Sequence, residues 1–325
     1  QGTPISADTM NPIVDTVNEH TEDNTIHITA EEREKWNGYA LPNLLLNPDF
    51  GVNQRGKTSY SANSTVYTYD RWLTAYATVT REANTSPAPV PYMAKCVFQN
   101  LNWPNFGQTL EHYSQYVGKA LTVRFWIKGL PGTSSVTLFM GDSLYNIPLT
   151  GDWQEVTRTF DPVTEGTVSF SRKGLLLQSS VVSPVAGTGF YLAAPQLVYG
   201  SFAGVYIPPN PAEELLKCQR YYYVSSNNRI YGYTNATNEI SKTVYPTVAL
   251  PAAMRTVPTV TMPTNGVTIR AAGKDVHLVS IEGVYLSDRE LSLDATADAA
   301  IGNRQTISGW FDTTNPTTFD AEIYQ

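Results

Sequence analysis

Four histidines, His20, His27, His112 and His277, are the side chains of this chain best suited to proton transfer or metal binding near neutral pH. None lies in a His-Glu-x-x-His pattern, and Cys96 and Cys218 are too far apart to make a Cys-x-x-Cys pair. His20 and His27 flank a loop and read as solvated linker residues. No Gly-x-Ser-x-Gly elbow and no Gly-x-x-x-x-Gly-Lys-Ser/Thr phosphate loop occurs. Glycoside hydrolysis would need two carboxylates roughly 5 to 10 Å apart in a cleft. Asp142, Asp152, Glu155 and Asp161 sit instead beside turn residues, where acidic side chains are common for conformational reasons. The expectation is a protein with no enzymatic activity, no metal and no cofactor.

Contact chemistry is better represented. Only 16% of the 325 residues are charged, while 20 are Tyr and six are Trp. The polar surface must therefore come from Ser, Thr, Asn, Gln and Tyr. Such a surface suits neutral, hydroxyl-rich ligands: a flat ring meets the apolar face of a sugar, and amides or carboxylates hold its hydroxyls. Strand packing also enriches Thr and Tyr, so composition alone leaves both explanations open. Trp103, in the turn-rich stretch Asn102-Trp103-Pro104-Asn105-Phe106-Gly107, reads as an exposed contact. Gln108, Tyr113 and Tyr116 follow in a polar stretch that could grip hydroxyls. Tyr231 and Tyr233 fall on one face if their segment is a strand. That face has three open uses: core, subunit contact or receptor platform. Trp310, between Gly309 and Phe311, is equally undecided, whereas Trp72 and Trp126 read as core and Trp153 as structural.

The net charge is −7, with no run of basic residues, which argues against nucleic acid because phosphate binding needs clustered Lys and Arg. No apolar stretch approaches the roughly 20 residues of a membrane span, so no membrane insertion is expected. No signal-peptide pattern opens the chain; its first residue is Gln, which leaves a removed leader open. The two cysteines do not make a disulfide framework and read as reduced, buried thiols.

Three segments must position these residues. Residues 1–40 are helical. Ser6 can cap a first helix carrying Met10, Ile13, Val14 and Val17 at helical spacing, weakened by Pro12. Thr29 and Glu32 make a capping box for a second helix that Gly38 can close. Both are too short to be stable alone, and their apolar stripe wants copies of itself. Residues 41–207 are nearly all strand and turn, with short strands at 121–127, 135–139, 153–160, 167–170 and 189–192, the pattern of a β-sandwich. In residues 208–325, Asn210 caps a short helix with Pro211 at its first position; Leu215, Leu216 and Cys218 form its apolar side. A second β-sandwich-like unit follows. The fold class is mainly β.

Several phrases carry a family resemblance. Asn43-Leu44-Leu45-Leu46-Asn47-Pro48-Asp49-Phe50, Asn53-Gln54-Arg55-Gly56, Tyr69-Asp70-Arg71-Trp72 and Thr122-Val123-Arg124-Phe125-Trp126-Ile127-Lys128-Gly129 follow in order. This order resembles the carbohydrate-binding-module-like jelly rolls of phage tail fibres and related adhesins. His27-Ile28-Thr29-Ala30-Glu31-Glu32-Arg33, with Trp36-Asn37, is similar to a linker phrase of tail and baseplate proteins. Cys218-Gln219-Arg220-Tyr221-Tyr222 and the ending Phe319-Asp320-Ala321-Glu322-Ile323 resemble the segments that follow such a jelly roll. The resemblance implies a homotrimeric fibre protein of the virion tail, made in the host bacterial cytoplasm. Its N-terminal segment would join other tail or baseplate proteins, and its β units would bind a bacterial surface polysaccharide. Some jelly rolls of this class carry a structural calcium; Asp49 matches its opening ligand, but Ala193 and Ala194 stand where a last-strand carboxylate belongs. The competing readings are a purely structural tail component and a glycan depolymerase or esterase.

Overall fold

A computed structural model describes residues 7–22, 32, 41–165, 172–225, 228–234, 242–271, 273–302 and 305–323. The expected second helix, apart from Glu32, and the expected strand at 167–170 lie outside the described residues. The first helix, α1 (Ala7–Glu22), runs through Pro12 and exposes Met10 and Val14.

The class is mainly β, as the sequence pattern predicts. Two six-stranded antiparallel sheets face each other. One orders Ser59–Ser61 (β1), Ala77–Ala83 (β4), Tyr92–Phe98 (β5), Gly189–Tyr199 (β12), Leu121–Gly129 (β7) and Gln154–Phe160 (β10). The other orders Val66–Tyr67 (β2), Leu73–Ala75 (β3), Asn105–Thr109 (β6), Gly174–Ser179 (β11), Ser135–Met140 (β8) and Ser143–Pro148 (β9). The period of two is plain in β7, where Leu121, Val123, Phe125 and Ile127 all point into the core. Trp72 is fully buried there, stacked on Phe106 at 5.1 Å between ring centroids. Trp126 and Trp153 lie outside that core, half-buried with Tyr191 in a smaller cluster.

The opening phrase of the jelly roll has a physical reason. The Asn43 side chain accepts the N–H groups of Leu45 and Leu197 and donates to the Pro195 carbonyl, stitching the entering chain to β12. Asn47 takes a left-handed backbone, φ 53°, and its amide holds both polar groups of Val52. Its carbonyl accepts the Trp72 indole N–H at 2.9 Å.

Helix α2 (Pro211–Gln219) begins as the sequence predicts. Asn210 Oδ1 accepts the Ala212 and Glu213 N–H groups, and Pro211 occupies the first turn. Its buried side differs from expectation. Cys218 is inward, but Leu215 and Leu216 are exposed, and the second inward residue is Glu214. Glu214 is held because Oε1 accepts the Asn47 N–H at 2.6 Å and Oε2 meets Lys217 at 3.2 Å.

The following strands form more than a sandwich. Tyr222–Ser225 (β13), Thr317–Asp320 (β21) and Thr259–Thr261 (β16) make a three-stranded sheet. Arg229–Tyr233 (β14), Thr243–Ala249 (β15), Glu290–Ala297 (β19), Lys274–Ser287 (β18), Val267–Ala271 (β17) and Thr306–Phe311 (β20) close into a barrel. The 14-residue β18 bends at two register shifts, between Leu278 and Ser280 and between Ile281 and Gly283, which lets one strand serve both neighbours. At Gly232 and Gly309 a side chain would strike the backbone of the neighbouring strand, so only glycine fits those inward positions.

Candidate binding face

Alternation along β14 turns Ile230 into the barrel and Tyr231 and Tyr233 outward, 59% and 56% exposed. The strand pairings set their neighbours. Tyr231 stands between Ser308 on β20 and Thr247 on β15, and Thr247 is followed by Ser292 on β19 and Tyr285 on β18. One step along, Tyr233 stands between Thr306 and Tyr245. The Tyr233 and Tyr245 rings stack, with centroids 5.4 Å apart and planes inclined by 27°.

Trp310 bounds this face on β20, opposite Arg229 on one side and Thr268 on the other. The Arg270 guanidinium lies 5.6 Å from the Trp310 ring centre and pairs with Asp275 at 2.6 Å. At the far side, the Tyr285 hydroxyl donates to Asp294 Oδ2 at 3.2 Å. That carboxylate raises the Tyr285 pKa above the usual phenol range, so the hydroxyl stays a donor. The face thus alternates aromatic rings with serine and threonine hydroxyls. Its chemistry is that of a platform: rings to lie against the C–H face of a sugar, hydroxyls and flanking charged groups to hold its oxygens.

The other expected contact residues fall elsewhere. Trp103 is 42% exposed in a turn with φ 52°, and its N–H donates to the Val182 carbonyl. Leu101, two residues before it, and Val182, its backbone partner, are exposed aliphatic residues, and the Asn105 amide donates to the Trp103 carbonyl. Gln108 is corrected: it is 1% exposed on β6, and its amide accepts the Leu46 N–H and donates to the Leu46 carbonyl. Tyr113 is corrected likewise, being 4% exposed, with its hydroxyl donating to the Thr164 carbonyl. Both spend their polar atoms inside the sandwich, which leaves nothing to offer a ligand. Tyr116 is half-buried against the same core. The jelly-roll expectations therefore do not assemble into one site, whereas the barrel pair does.

Tyr245, Tyr285 and Trp310 are the members of this face that the sequence does not point to. Each lies on an alternating strand, but only the pairing of distant strands puts them beside Tyr233 and Tyr231. Among the described residues Asp49 joins no cluster of three or more possible metal ligands; its Oδ1 accepts the Gly51 N–H at 3.0 Å. Among the described residues no group of three or more His, Cys, Asp or Glu comes together as a metal cluster, and no helix is long and apolar enough to cross a membrane.

No protein-family profile and no curated protein sequence matches the chain. Among solved structures, one similar chain is the enzymatically active domain of tailspike protein 4 from bacteriophage CBA120, at 17% identity and TM-score 0.31, covering 49% of this chain. The match spans 21% of the tailspike chain. A family 30 carbohydrate-binding module is similar at 14% identity and TM-score 0.29, over 47% of this chain and 87% of its own. The baseplate tripod of bacteriophage Tuc2009 is similar at 12% identity and TM-score 0.29, over 65% of this chain and 84% of its own.

Proposed function

We propose that this protein is a phage tail fibre, or the fibre of a tail-like particle, that binds a bacterial surface polysaccharide for host recognition. The observation that carries the reading is the outward aromatic and hydroxyl face of the barrel around Tyr231 and Tyr233. The phrases resembling tail-fibre jelly rolls support the same reading. The fibre works as a homotrimer held by its N-terminal segment, which also joins it to other tail or baseplate proteins. Three weak sugar sites on one particle then gain roughly 10² to 10⁴ in avidity where geometry permits. Binding proceeds without turnover of the glycan.

The test is binding of the purified protein to cell-wall polysaccharides from a panel of bacteria, with mass in solution recorded on the same sample. Saturable binding to some strains, lost when their surface glycan is removed, supports the reading. A trimer that binds no surface in a panel including the host makes it a structural tail component. Release of reducing ends or acetate makes it an enzyme.

A further inference from the structure

A second concavity lies far from the barrel face in strand order, where the opening loop of the jelly roll meets α2. It has a volume of about 530 Å³ and is lined by Asp49, Gln54, Tyr92, Pro209, Pro211 and Leu215, among others. That size is within the roughly 300 to 1,000 Å³ of small-molecule sites. From this cleft we infer a separate site for a single neutral pyranose, independent of the barrel face.

Three observations set the ligand class. The walls are mostly ring-shaped and apolar: the prolines and Tyr92 offer flat C–H and aromatic surfaces, and Leu215 stands 37% exposed at the mouth. The Tyr92 ring is held by Arg81, whose guanidinium lies 4.4 Å from its centre and donates to the Phe50 and Gly51 carbonyls. The polar groups left for a ligand are two acceptor oxygens and the Tyr92 hydroxyl, which can donate as well as accept. Asp49 uses only Oδ1, for the Gly51 N–H, and Gln54 uses its amide nitrogen, for Asp70 and the Tyr222 carbonyl; among the described residues Asp49 Oδ2 and Gln54 Oε1 have no partner. Two acceptors beside one phenol call for ligand groups that both donate and accept, as sugar hydroxyls do.

Charge decides against a cationic ligand. The Glu214 carboxylate is already met by Lys217 at 3.2 Å, and Arg81 stands beside the Asp49 loop. One carboxylate of the cleft is thus paired and the other has a guanidinium on its own loop, and a neutral ring with adjacent hydroxyls fits best. A free monosaccharide and the terminal residue of a polysaccharide present the same chemistry.

The experiment is a saturation-transfer NMR titration of the full chain with glucose, galactose, mannose and N-acetylglucosamine in turn. Three proteins are compared: wild type, Leu215→Arg and the double variant Tyr231→Ala/Tyr233→Ala. Leu215 is an exposed helix position, so Arg there fills the mouth without touching the core. Asp49→Asn serves as a second cleft variant, since its amide oxygen can still accept from Gly51. The expected result is millimolar binding of at least one sugar, weakened about tenfold or more by Leu215→Arg and by Asp49→Asn but unchanged in the tyrosine double variant. The inference is overturned if none of the four sugars saturates the wild type, or if both cleft variants bind like the wild type. Loss only in the tyrosine variant supports the barrel face and overturns the cleft.

Discussion

The guanidinium of Arg71, in the jelly roll, and the carboxylate of Glu322, after the last strand of the C-terminal unit, form an ion pair with side chains 2% and 0% exposed. The same guanidinium donates to the Thr109 carbonyl and lies 3.7 Å from the centre of the Tyr221 ring. Arg55 repeats the arrangement beside it, 3.4 Å from Glu322 and 3.8 Å from the Tyr222 ring centre. Tyr67 completes the join by donating to the Ile323 carbonyl. The jelly roll and the C-terminal unit thus meet across buried charge rather than a greasy patch. A buried pair adds little net stability over apolar packing, but losing Glu322 leaves the Arg71 guanidinium out of solvent and without a counter-charge. Such a contact fixes how the two units sit.

Removing one charge should therefore cost more than removing both. Glu322→Gln is expected to destabilise the join by about 3–5 kcal/mol, whereas Arg71→Met/Glu322→Leu recovers most of that loss. Calorimetry checks it: Glu322→Gln should split unfolding into two transitions as the units uncouple, and the double variant should restore one.

A second contact across the join predicts a pH dependence. Glu111 accepts from Arg220 at 2.9 Å and from the Tyr221 hydroxyl. Burial pushes its pKa up, but those hydrogen bonds and the Arg220 charge prevail and hold it below the ordinary glutamate value. A depressed pKa means stability present above the unfolded value of about 4.3 and lost as pH falls through the folded one. The melting temperature of Glu111→Gln should lie below wild type at neutral pH, and the gap should close in acid. A gap that stays constant with pH would refute this. Asp70 acts in the opposite sense: burial raises its pKa, so its contribution is present at low pH and is lost as pH rises.

The cap of α2 predicts a smaller effect. Asn210→Ala removes the acceptor for two backbone N–H groups and should cost about 1 kcal/mol, while Asn210→Asp should cost little. Urea denaturation midpoints measure both.

The thiols predict inertness. Cys96 and Cys218 are both buried and free, and burial pushes both thiols up, away from the thiolate. A chromogenic disulfide reagent should titrate neither cysteine in the native protein and both in denaturant.

The legible parts of this chain are those whose reasons are local. The cap at Asn210 with Pro211, the alternation of β7 and the burial of Trp72 follow from near neighbours in sequence. Tyr231 and Tyr233 share a face because a strand has a period of two, and that face turns outward because Ile230 turns in. What could not be read depends on partners far along the chain. Gln108 is spent on Leu46, 62 residues away, and Tyr113 on Thr164, 51 residues away. A polar side chain looks available until its distant partner is known. Glu214 takes the inward place expected of Leu215 because the Asn47 N–H, 167 residues away, needs an acceptor there. Barrel closure is of the same kind: β14 pairs with β20 across more than seventy residues, and nothing in either strand names the other.

The most direct test of the central claim compares wild type with Tyr231→Ala/Tyr233→Ala for binding to a polysaccharide the wild type recognises. Both side chains are more than half exposed, so the fold should be unchanged, and circular dichroism with melting temperature confirms that on the same samples. Truncating an aromatic anchor at a binding face commonly costs about 2 kcal/mol or more, and the account predicts a loss of affinity of about a hundredfold. Equal binding by the two proteins would contradict it and remove the barrel face from host recognition.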